Sequence, residues 1–202
     1  MKILHIDASI LGPHSVSRSL TSAIVSRLVD TNPGAEVTYR DVAADPPPYF
    51  SGAIVAAATD PESPVSAETQ QAASHLGKIL EEVLAADVIV VGAPMYNFGI
   101  PAQLKSWLDA LAVPGKTFRY TSSGAEGLLV GKRVIIASSQ GGIYAEGTPS
   151  AAFEHQESHL HSFLMFVGIT DIQVVRADGV KMAEGPARVE TALKQAAELQ
   201  LA

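Results

Sequence analysis

Two spacings of apolar residues alternate along the chain, and together they predict its secondary structure. Short β-branched runs predict strands at residues 2–7, 36–41, 87–92, 132–138 and 171–177. Segments with apolar residues three or four positions apart predict helices at residues 17–30, 67–86, 101–111, 150–167 and 184–201. Turn residues such as Asn32, Pro33 and Gly34 separate the two kinds of segment.

This alternation of strands and helices indicates the fold class. Five strands joined by helices imply right-handed crossovers and a parallel sheet. The run at residues 87–92, almost uninterrupted in its apolar character, is typical of a central strand covered on both faces. We therefore predict an α/β fold: a flavodoxin-like, doubly wound five-stranded parallel sheet in the order 2-1-3-4-5, with helices on both faces.

The length of the chain favours one core. Its 202 residues are predicted to form one domain, 1–202, because they show neither an internal repeat nor an interdomain linker. Residues 45–64 are rich in Pro, Ala and Ser without a sustained period, and they predict a surface excursion. We expect this excursion to border a substrate pocket.

Composition excludes several classes of function. The formal net charge of -7 argues against a broad nucleic-acid footprint, and the absence of cysteine removes disulfides, thiolate metal sites and cysteine nucleophiles. The apolar stretch 83–95 contains Asp87 and is too short to cross a bilayer, so no membrane span is predicted. Met1 leads directly into an apolar strand without the features of a signal peptide, which predicts a cytoplasmic protein.

Ligands of such sheets bind at the carboxyl ends of the strands where the strand order reverses. In this chain we expect a ligand site at the loops after strands one, three and four. The first loop carries Ser9, Ser15 and Ser17 before a helix, where amides and hydroxyls can hold a phosphate. Helix capping by Ser15 or Ser17 is the favoured explanation if the loop is taken alone. The loop lacks a G-x-G-x-x-G motif, and residues 115–117 lack the earlier Walker glycine because residue 110 is alanine.

The other two loops offer apolar and backbone contacts. Residues 95–98, Met-Tyr-Asn-Phe, suit a flat polar heterocycle, although a corner packed with aromatics explains them equally well. In residues 139–142, Ser-Gln-Gly-Gly, the paired glycines permit close backbone approach to a ligand, with a tight turn as the alternative. The third loop has no G-x-S-x-G nucleophile elbow, which disfavours a hydrolase.

Several segments of the chain resemble one enzyme family. APMYNF at 93–98 and SQGG at 139–142 are similar to motifs of the FMN-dependent NADH-azoreductases, also described as FMN-dependent NADH:quinone oxidoreductases. QLKSWLDAL at 103–111, GKTFRYTSSGAEGLLVGK at 115–132 and FLMFVGIT at 163–170 match the later family pattern in order and spacing. The resemblance covers nearly the whole chain.

The resemblance implies a cofactor site. It assigns the FMN phosphate to Ser9, Ser15, Val16 and Ser17, the isoalloxazine ring to Met95, Tyr96, Asn97 and Phe98, and its pyrimidine side to Ser139, Gln140, Gly141 and Gly142. Val16 departs from the glutamine common in the family, and Gln140 departs from a frequent arginine. Backbone N–H donors do not depend on those side chains, so FMN binding is expected to survive both departures.

The implied activity is a two-step redox reaction. NADH or NADPH reduces FMN and leaves, and a quinone or azo compound then receives two electrons. No residue is predicted as a catalytic acid or base. The resemblance also implies a homodimer with its interface near residues 118–120, where the sequence alone allows an exposed hairpin. A flavodoxin-type electron carrier and a serine hydrolase are the competing functions.

Three histidines stand close together late in the chain. His155, His159 and His161 include an i, i+4 pair, which is a spacing found in metal sites. Without a matching further ligand we predict structural or solvated histidines and no metal.

Overall fold

The computed structural model describes residues 1–60 and 64–199. In chain order its elements are β1 (Lys2–Asp7), α1 (Val16–Thr31), β2 (Glu36–Asp41), α2 (Gly52–Thr59), α3 (Ala67–Ala85), β3 (Val88–Pro94), α4 (Ala102–Leu111), β4 (Phe118–Thr121), β5 (Gly124–Gly127), β6 (Arg133–Ser139), α5 (Glu157–Phe166), β7 (Asp171–Ala177) and α6 (Gly185–Ala197). The five predicted strands are all present, with ends shifted by two residues at most.

The main sheet has the order β2-β1-β3-β6-β7, and every neighbouring pair is parallel. In order along the chain its strands are 2-1-3-4-5, so the predicted topology is confirmed. Ile3 pairs with Val88, which pairs in turn with Arg133, and the carboxyl ends of β1, β3 and β6 therefore lie side by side.

Two apolar layers cover the sheet. Successive strand residues point to opposite faces, so Val90 and Ile135 pack with α1 and α6, whereas Ile89 and Val91 pack with α3, α4 and α5. All seven residues of β3 are buried, as its uninterrupted apolar run predicts. Within the described ranges no helix is long and apolar enough to span a membrane.

The excursion at residues 45–64 contains a helix that the sequence pattern did not predict. The Ser51 side chain caps α2 by accepting a hydrogen bond from the Ile54 amide at 3.3 Å. Ile54 and Ala57 are its buried residues. A helix of eight residues with two buried positions is too short to show a sustained helical period, which is why the sequence pattern predicted a surface excursion but no helix there.

The predicted helix at 150–167 is divided in two. A 3-10 turn at Ala151–Phe153 precedes α5, which begins only at Glu157. The Glu154 carboxylate accepts hydrogen bonds from the amides of Gln156, Glu157 and Ser158 at 2.7–3.1 Å. These bonds satisfy the free amides that open a helix, so α5 starts after Glu154. At the other end, α6 stops at Ala197, and residues 200–201 of its predicted span lie outside the described residues.

A small antiparallel hairpin, β4–β5, lies outside the main sheet. Its base rests against the loop that follows α5, where the Leu129 amide donates to the Val167 carbonyl at 2.8 Å. A Cβ on Gly127 would lie 2.1 Å from the backbone nitrogen of Gly168, and Gly168 itself has a φ of 96°. Only two glycines allow the backbones to approach so closely at this point.

Candidate functional site

A cleft of about 190 Å³ opens at the carboxyl edge of the sheet. It is bounded by the loops that follow β1, β3 and β6, which the sheet order makes neighbours. A fourth segment, Val180 and Lys181 after β7, completes its wall. The cleft therefore lies at the point where the strand order reverses, as expected for a ligand site of this fold.

The N-terminus of α1 faces this cleft. Ser15 caps the helix, because its Oγ accepts a hydrogen bond from the Arg18 amide at 3.3 Å, and Ser15 also lines the cleft. Within the described part of the chain, the first-turn amides of Val16 and Ser17 donate to no protein acceptor. The Ser17 Oγ is buried and lies 3.1 Å from the Ser15 Oγ. Free amides at the positive end of a helix form an anion-binding site.

A charged network supports the first loop from behind. Asp7 is 4% exposed and accepts hydrogen bonds from Thr21 at 2.8 Å and Tyr39 at 3.1 Å. Burial alone would raise the pKa of Asp7, but contacts with His5 and Thr21 and the charge of Arg18 lower the pKa below 3.8. Burial and the nearby carboxylates raise the pKa of Tyr39 to about 12. Asp7 is therefore ionised and Tyr39 protonated at neutral pH.

The second loop forms a tight turn at the end of β3. The Tyr96 amide donates to the Gly99 carbonyl at 2.9 Å, and the Gly99 amide donates to the Tyr96 carbonyl at 3.2 Å. Between them Asn97 and Phe98 have φ angles of 50° and 74°, the signs found in type I′ turns. Positive φ is uncommon for asparagine and a true outlier for phenylalanine. The turn exposes both side chains.

Tyr96 connects this turn to the first loop. Its hydroxyl accepts a hydrogen bond from the Ile10 amide at 3.1 Å and lies 3.4 Å from the Ser9 Oγ. On the other side, the Met95 amide donates to the Ser139 carbonyl at 2.8 Å. The first and third loops are thus both hydrogen-bonded to residues 95–96.

Two buried side-chain amides, those of Gln140 and Gln156, form a hydrogen-bonded chain beneath the third loop. Gln140 is 2% exposed, and its Nε2 donates to the Gln156 Oε1 at 3.1 Å. The Gln156 Nε2 donates in turn to the Ala93 carbonyl at 2.5 Å. The Gln140 side chain also lies 3.4 Å from Glu157, which is paired with Arg176. The Gln140 side chain therefore connects the loop after β6 to the end of β3 through Gln156.

The segment after β7 runs beside the third loop. The Val180 amide donates to the Gln140 carbonyl at 3.0 Å, and the Lys181 amide donates to the Gly141 carbonyl at 3.1 Å. Sequence reasoning considered three loops and missed this one. The sequence contained a signal for this fourth segment, because Asp178 and Gly179 follow a predicted parallel strand that ends at the same edge of the sheet.

Comparison with known proteins shows the family of the chain. Residues 1–199 match the family model described as having a flavodoxin-like fold. An FMN-dependent NADH:quinone oxidoreductase of Rhizobium meliloti is 53% identical over 196 residues, covering 97% of this chain and 93% of the relative. The chain belongs to the FMN-dependent NADH:quinone oxidoreductase family. A second member, from Methylocella silvestris, is 48% identical over 198 residues, covering 98% of this chain and 96% of the relative.

Solved structures agree with the family membership. An azoreductase from Bacillus anthracis strain Sterne superposes with a TM-score of 0.89 at 27% identity, covering 98% of each chain. An FMN-dependent NADH-azoreductase from Bacillus anthracis strain Ames Ancestor, solved in complex with FMN, gives a TM-score of 0.88 at 26% identity, covering 98% of this chain and 96% of its own. The predicted fold and family are both confirmed.

The structure brings most of the sequence-predicted site residues of this family member to the cleft. Eight of the twelve line it: Ser9, Ser15, Val16, Met95, Tyr96, Ser139, Gln140 and Gly141. The other four do not line it, although each is within two residues of one that does: Ser17, Asn97, Phe98 and Gly142. Leu11, His14, Pro94, Val180 and Lys181 were not predicted and also line the cleft.

An aromatic group stands beside the cleft. The Phe98 ring lies 5.1 Å from the Phe153 ring and 6.1 Å from the Tyr144 ring, measured between centroids. Phe98 and Phe153 are about half exposed. This group offers an apolar surface next to the turn at 95–99.

The three histidines do not converge. The His155 amide donates to the Phe98 carbonyl at 3.0 Å, so this residue supports the turn through its backbone. His159 and His161 lie on α5. Residues 1–60 and 64–199 contain no group of three or more His, Cys, Asp or Glu side chains placed to hold a metal ion.

Proposed function

We propose that this protein is an FMN-dependent NAD(P)H oxidoreductase that reduces quinones by two electrons and cleaves azo compounds reductively. One observation carries the proposal. Val16, whose amide donates to no protein acceptor among the described residues, lines the same cleft as Ser9, Ser15, Met95, Tyr96 and Gly141. An anion site next to a wall for a flat ring matches the two ends of FMN.

The donors in the cleft fit the phosphate of FMN. A phosphate monoester needs several hydrogen-bond donors, and a helix N-terminus supplies them together with a favourable dipole. We assign the phosphate to Ser9, Ser15, Val16 and Ser17. His14, at the end of a 3-10 turn, lines the same cleft. The site therefore does not require an arginine or lysine in direct contact with the phosphate.

The remaining contacts suit the flavin ring. We assign the isoalloxazine to residues 95–98 and its pyrimidine side to residues 139–142, where backbone groups and the Asn97 amide meet a polar edge. When bound, FMN supplies the hydride and electron chemistry. The chain holds the ring between loops that are already hydrogen-bonded to each other, and such preorganisation aligns successive substrates with the ring.

The electron donor and acceptor follow from relatives and from chemistry. The relatives' names specify NADH and quinones, and those of the solved neighbours specify azo compounds. We propose a ping-pong order, in which NADH or NADPH leaves before the acceptor binds, and a cytoplasmic location where these nucleotides are available. The aromatic surface at Phe98, Tyr144 and Phe153 is suited to a flat acceptor.

Flavin binding and direct NADH oxidation test the proposed function. The purified protein is expected to retain FMN, or to accept it after removal, and NADH is expected to bleach the visible flavin absorbance under anaerobic conditions. Addition of a quinone is then expected to restore the absorbance. A folded protein that binds no FMN would refute the function. One that binds FMN but is reduced by neither NADH nor NADPH would instead be a flavodoxin-type carrier.

We also propose that the protein is a homodimer whose interface includes the β4–β5 hairpin. Tyr120 on β4 is 77% exposed, and its ring packs at right angles to Phe118. The Phe118 ring lies 4.7 Å from the ring of Phe166 on α5, with the two planes tilted by 46°. Phe166 is 37% exposed, and the neighbouring Met165 is 45% exposed. Contiguous exposed apolar side chains of this kind mark protein interfaces.

Sedimentation equilibrium tests the dimer. A mass of two chains is expected at micromolar concentration, and Tyr120→Arg is expected to shift the equilibrium toward the monomer because it places a charge in an apolar interface. Val130→Arg is a matched control outside the hairpin, at a side chain that is 73% exposed. A monomeric wild-type protein, or equal effects of the two variants, would remove the hairpin from the interface.

A further inference from the structure

Arg18 contacts the first loop from outside the cleft. It is the third residue of α1 and its side chain is 18% exposed. Its Nε and Nη2 both donate to the Ser9 carbonyl oxygen, at 3.1 and 2.7 Å. A guanidinium presents its donors in a rigid planar fork, so two hydrogen bonds to one oxygen fix the direction of that carbonyl.

The charge of Arg18 is compensated inside the protein. Its Nη2 donates to the Asp41 Oδ1 at 2.8 Å, and its Nη1 lies 2.7 Å from the Asp41 Oδ2. The Nη1 also donates to the Tyr39 hydroxyl at 3.0 Å and lies 3.5 Å from Asp7. Arg18 does not line the cleft. It therefore acts on the site through Ser9 and does not serve as a direct phosphate ligand.

The Ser9–Ile10 peptide is held on both sides. A trans peptide directs its C=O and its N–H in opposite directions, and the described residues contain no cis bond. The carbonyl points to Arg18, and the Ile10 amide donates to the Tyr96 hydroxyl at 3.1 Å. Since Tyr96 lines the cleft, the positive end of this peptide dipole is turned to the cleft side and the negative end away from it.

We propose that Arg18 is a positioning residue that sets the affinity for the FMN phosphate by holding the Ser9–Ile10 peptide in this orientation. The inference rests on the proposed function. If the peptide rotated, its carbonyl oxygen would face the phosphate and repel it. The fork of Arg18 prevents the rotation because it holds the carbonyl on the opposite side. Among the residues assigned to the flavin ring, 95–98 and 139–142, only Tyr96 is hydrogen-bonded to this peptide, and only through its hydroxyl.

The test compares two flavins that differ only in the phosphate. The apoprotein is titrated with FMN and with riboflavin, and each dissociation constant is read from flavin fluorescence. Arg18→Gln is expected to raise the dissociation constant of FMN about ten- to a hundredfold, the effect of losing hydrogen bonds to a charged donor. The dissociation constant of riboflavin is expected to change by less than about twofold, because riboflavin has no phosphate.

Two further variants separate the fork from its charge and from general damage to α1. Arg18→Lys keeps the charge but loses the fork, and it is expected to lower the preference for FMN as Arg18→Gln does. Arg27→Gln is the matched control. Arg27 is also on α1 and donates to a backbone carbonyl, that of Leu199 at 3.3 Å, but it does not line the cleft. This variant is expected to keep the wild-type ratio of the two dissociation constants.

The possible results lead to different conclusions. Equal losses for FMN and riboflavin in Arg18→Gln, or a wild-type ratio in Arg18→Lys, would overturn the positioning role. If Arg18→Gln does not fold, Asp41→Asn decides, because it removes the carboxylate that holds the guanidinium and is expected to lower the same ratio. A wild-type protein that binds neither flavin would refute the proposed function instead.

Discussion

At the scale of single residues, the turn after β3 shows how the candidate site is specified. Asn97 and Phe98 both adopt positive φ. Asparagine tolerates this conformation, whereas for phenylalanine it costs on the order of 1–3 kcal/mol. The paired hydrogen bonds of Tyr96 and Gly99 and the bond from His155 to the Phe98 carbonyl hold the turn in place. Strain of this kind accumulates at ligand sites.

Two substitutions of Asn97 distinguish its amide from its backbone. Asn97→Ala removes the amide and disfavours positive φ, whereas Asn97→Gly removes the amide and permits it. If the amide contacts the flavin, both variants are expected to raise the dissociation constant of FMN, by about tenfold for one hydrogen bond. Fluorescence titration measures this constant. Wild-type affinity in Asn97→Gly would exclude the amide from the site.

The buried carboxylate of Asp7 makes stability depend on pH. Its pKa in the folded protein is lower than its ordinary value of 3.8, despite burial, because of His5, Thr21 and Arg18. A lowered pKa stabilises the folded state fully above the ordinary value, and this stabilisation is lost as the pH falls through the folded value. The free energy of unfolding is therefore expected to decrease below about pH 4.

Urea denaturation at several pH values measures this effect. Asp7→Asn has no charge to lose, so its free energy of unfolding is expected to fall less steeply between about pH 5 and pH 3 than that of the wild type. Asp171→Asn is the control, since Asp171 pairs with Arg133 at 2.7 Å but its side chain is 52% exposed. If the free energy of unfolding depended on pH equally in Asp7→Asn and the wild type, the lowered pKa of Asp7 would not be the cause of the pH dependence.

At the scale of elements, strands were easier to predict than helix ends. Strand positions follow from local apolar runs, which a tertiary structure rarely overrides in a central strand such as β3. The start of α5 depended on one side chain, because the Glu154 carboxylate took the amides that a longer helix would have used. The spacing of apolar residues does not show that a side chain competes with the helix for these backbone amides.

The hairpin provides a stability prediction at the same scale. Gly127→Ala is expected to lower the free energy of unfolding by at least about 1–3 kcal/mol, because its Cβ would meet the backbone of Gly168. Gly77→Ala on α3 is the matched control. A Cβ there meets open space, and alanine favours a helix over glycine by about 0.5–1 kcal/mol, so this variant is expected to be more stable than the wild type.

Urea denaturation compares the two glycine variants. The opposite signs of their effects are the informative result, since both add the same methyl group. A neutral Gly127→Ala would show that the hairpin moves away from Gly168 at little cost. The close approach of the two backbones would then not be required for the fold.

At the scale of the whole molecule, the cleft exists only because the sheet is assembled. Residues from four separate strand ends line it, and the parallel order β1-β3-β6-β7 places those ends together. A ligand that binds there stabilises the folded state as a whole, because the unfolded chain has no such site. Flavin binding and global stability are therefore expected to be coupled.

Thermal unfolding measures this coupling. At 100 times its dissociation constant, FMN is expected to add about 2.7 kcal/mol to the free energy of unfolding. For a chain of this size the corresponding rise in Tm is roughly 5–10 °C. Riboflavin at the same concentration is expected to give a smaller rise, because the α1 amides gain no phosphate. Equal rises for the two flavins would remove the phosphate from the site.

The sequence by itself determined the five strands, their order and the three loops that carry most of the candidate site. These features depend on local apolar patterns and on general rules of parallel sheets, and the family motifs lie within them. The single domain, the homodimer and the individual flavin contacts stay predictions.

Only the tertiary structure decided the rest. It added Val180 and Lys181 to the cleft, placed α2 in the excursion and turned the Gln140 side chain inward. It also showed that the Arg18 guanidinium donates hydrogen bonds to the Ser9 carbonyl oxygen. Each of these depends on contacts between residues distant in sequence, or on a competition for hydrogen bonds that a linear pattern does not record. The physical reason is that buried backbone N–H and C=O groups must find hydrogen-bond partners, and those partners are brought close only when the chain folds.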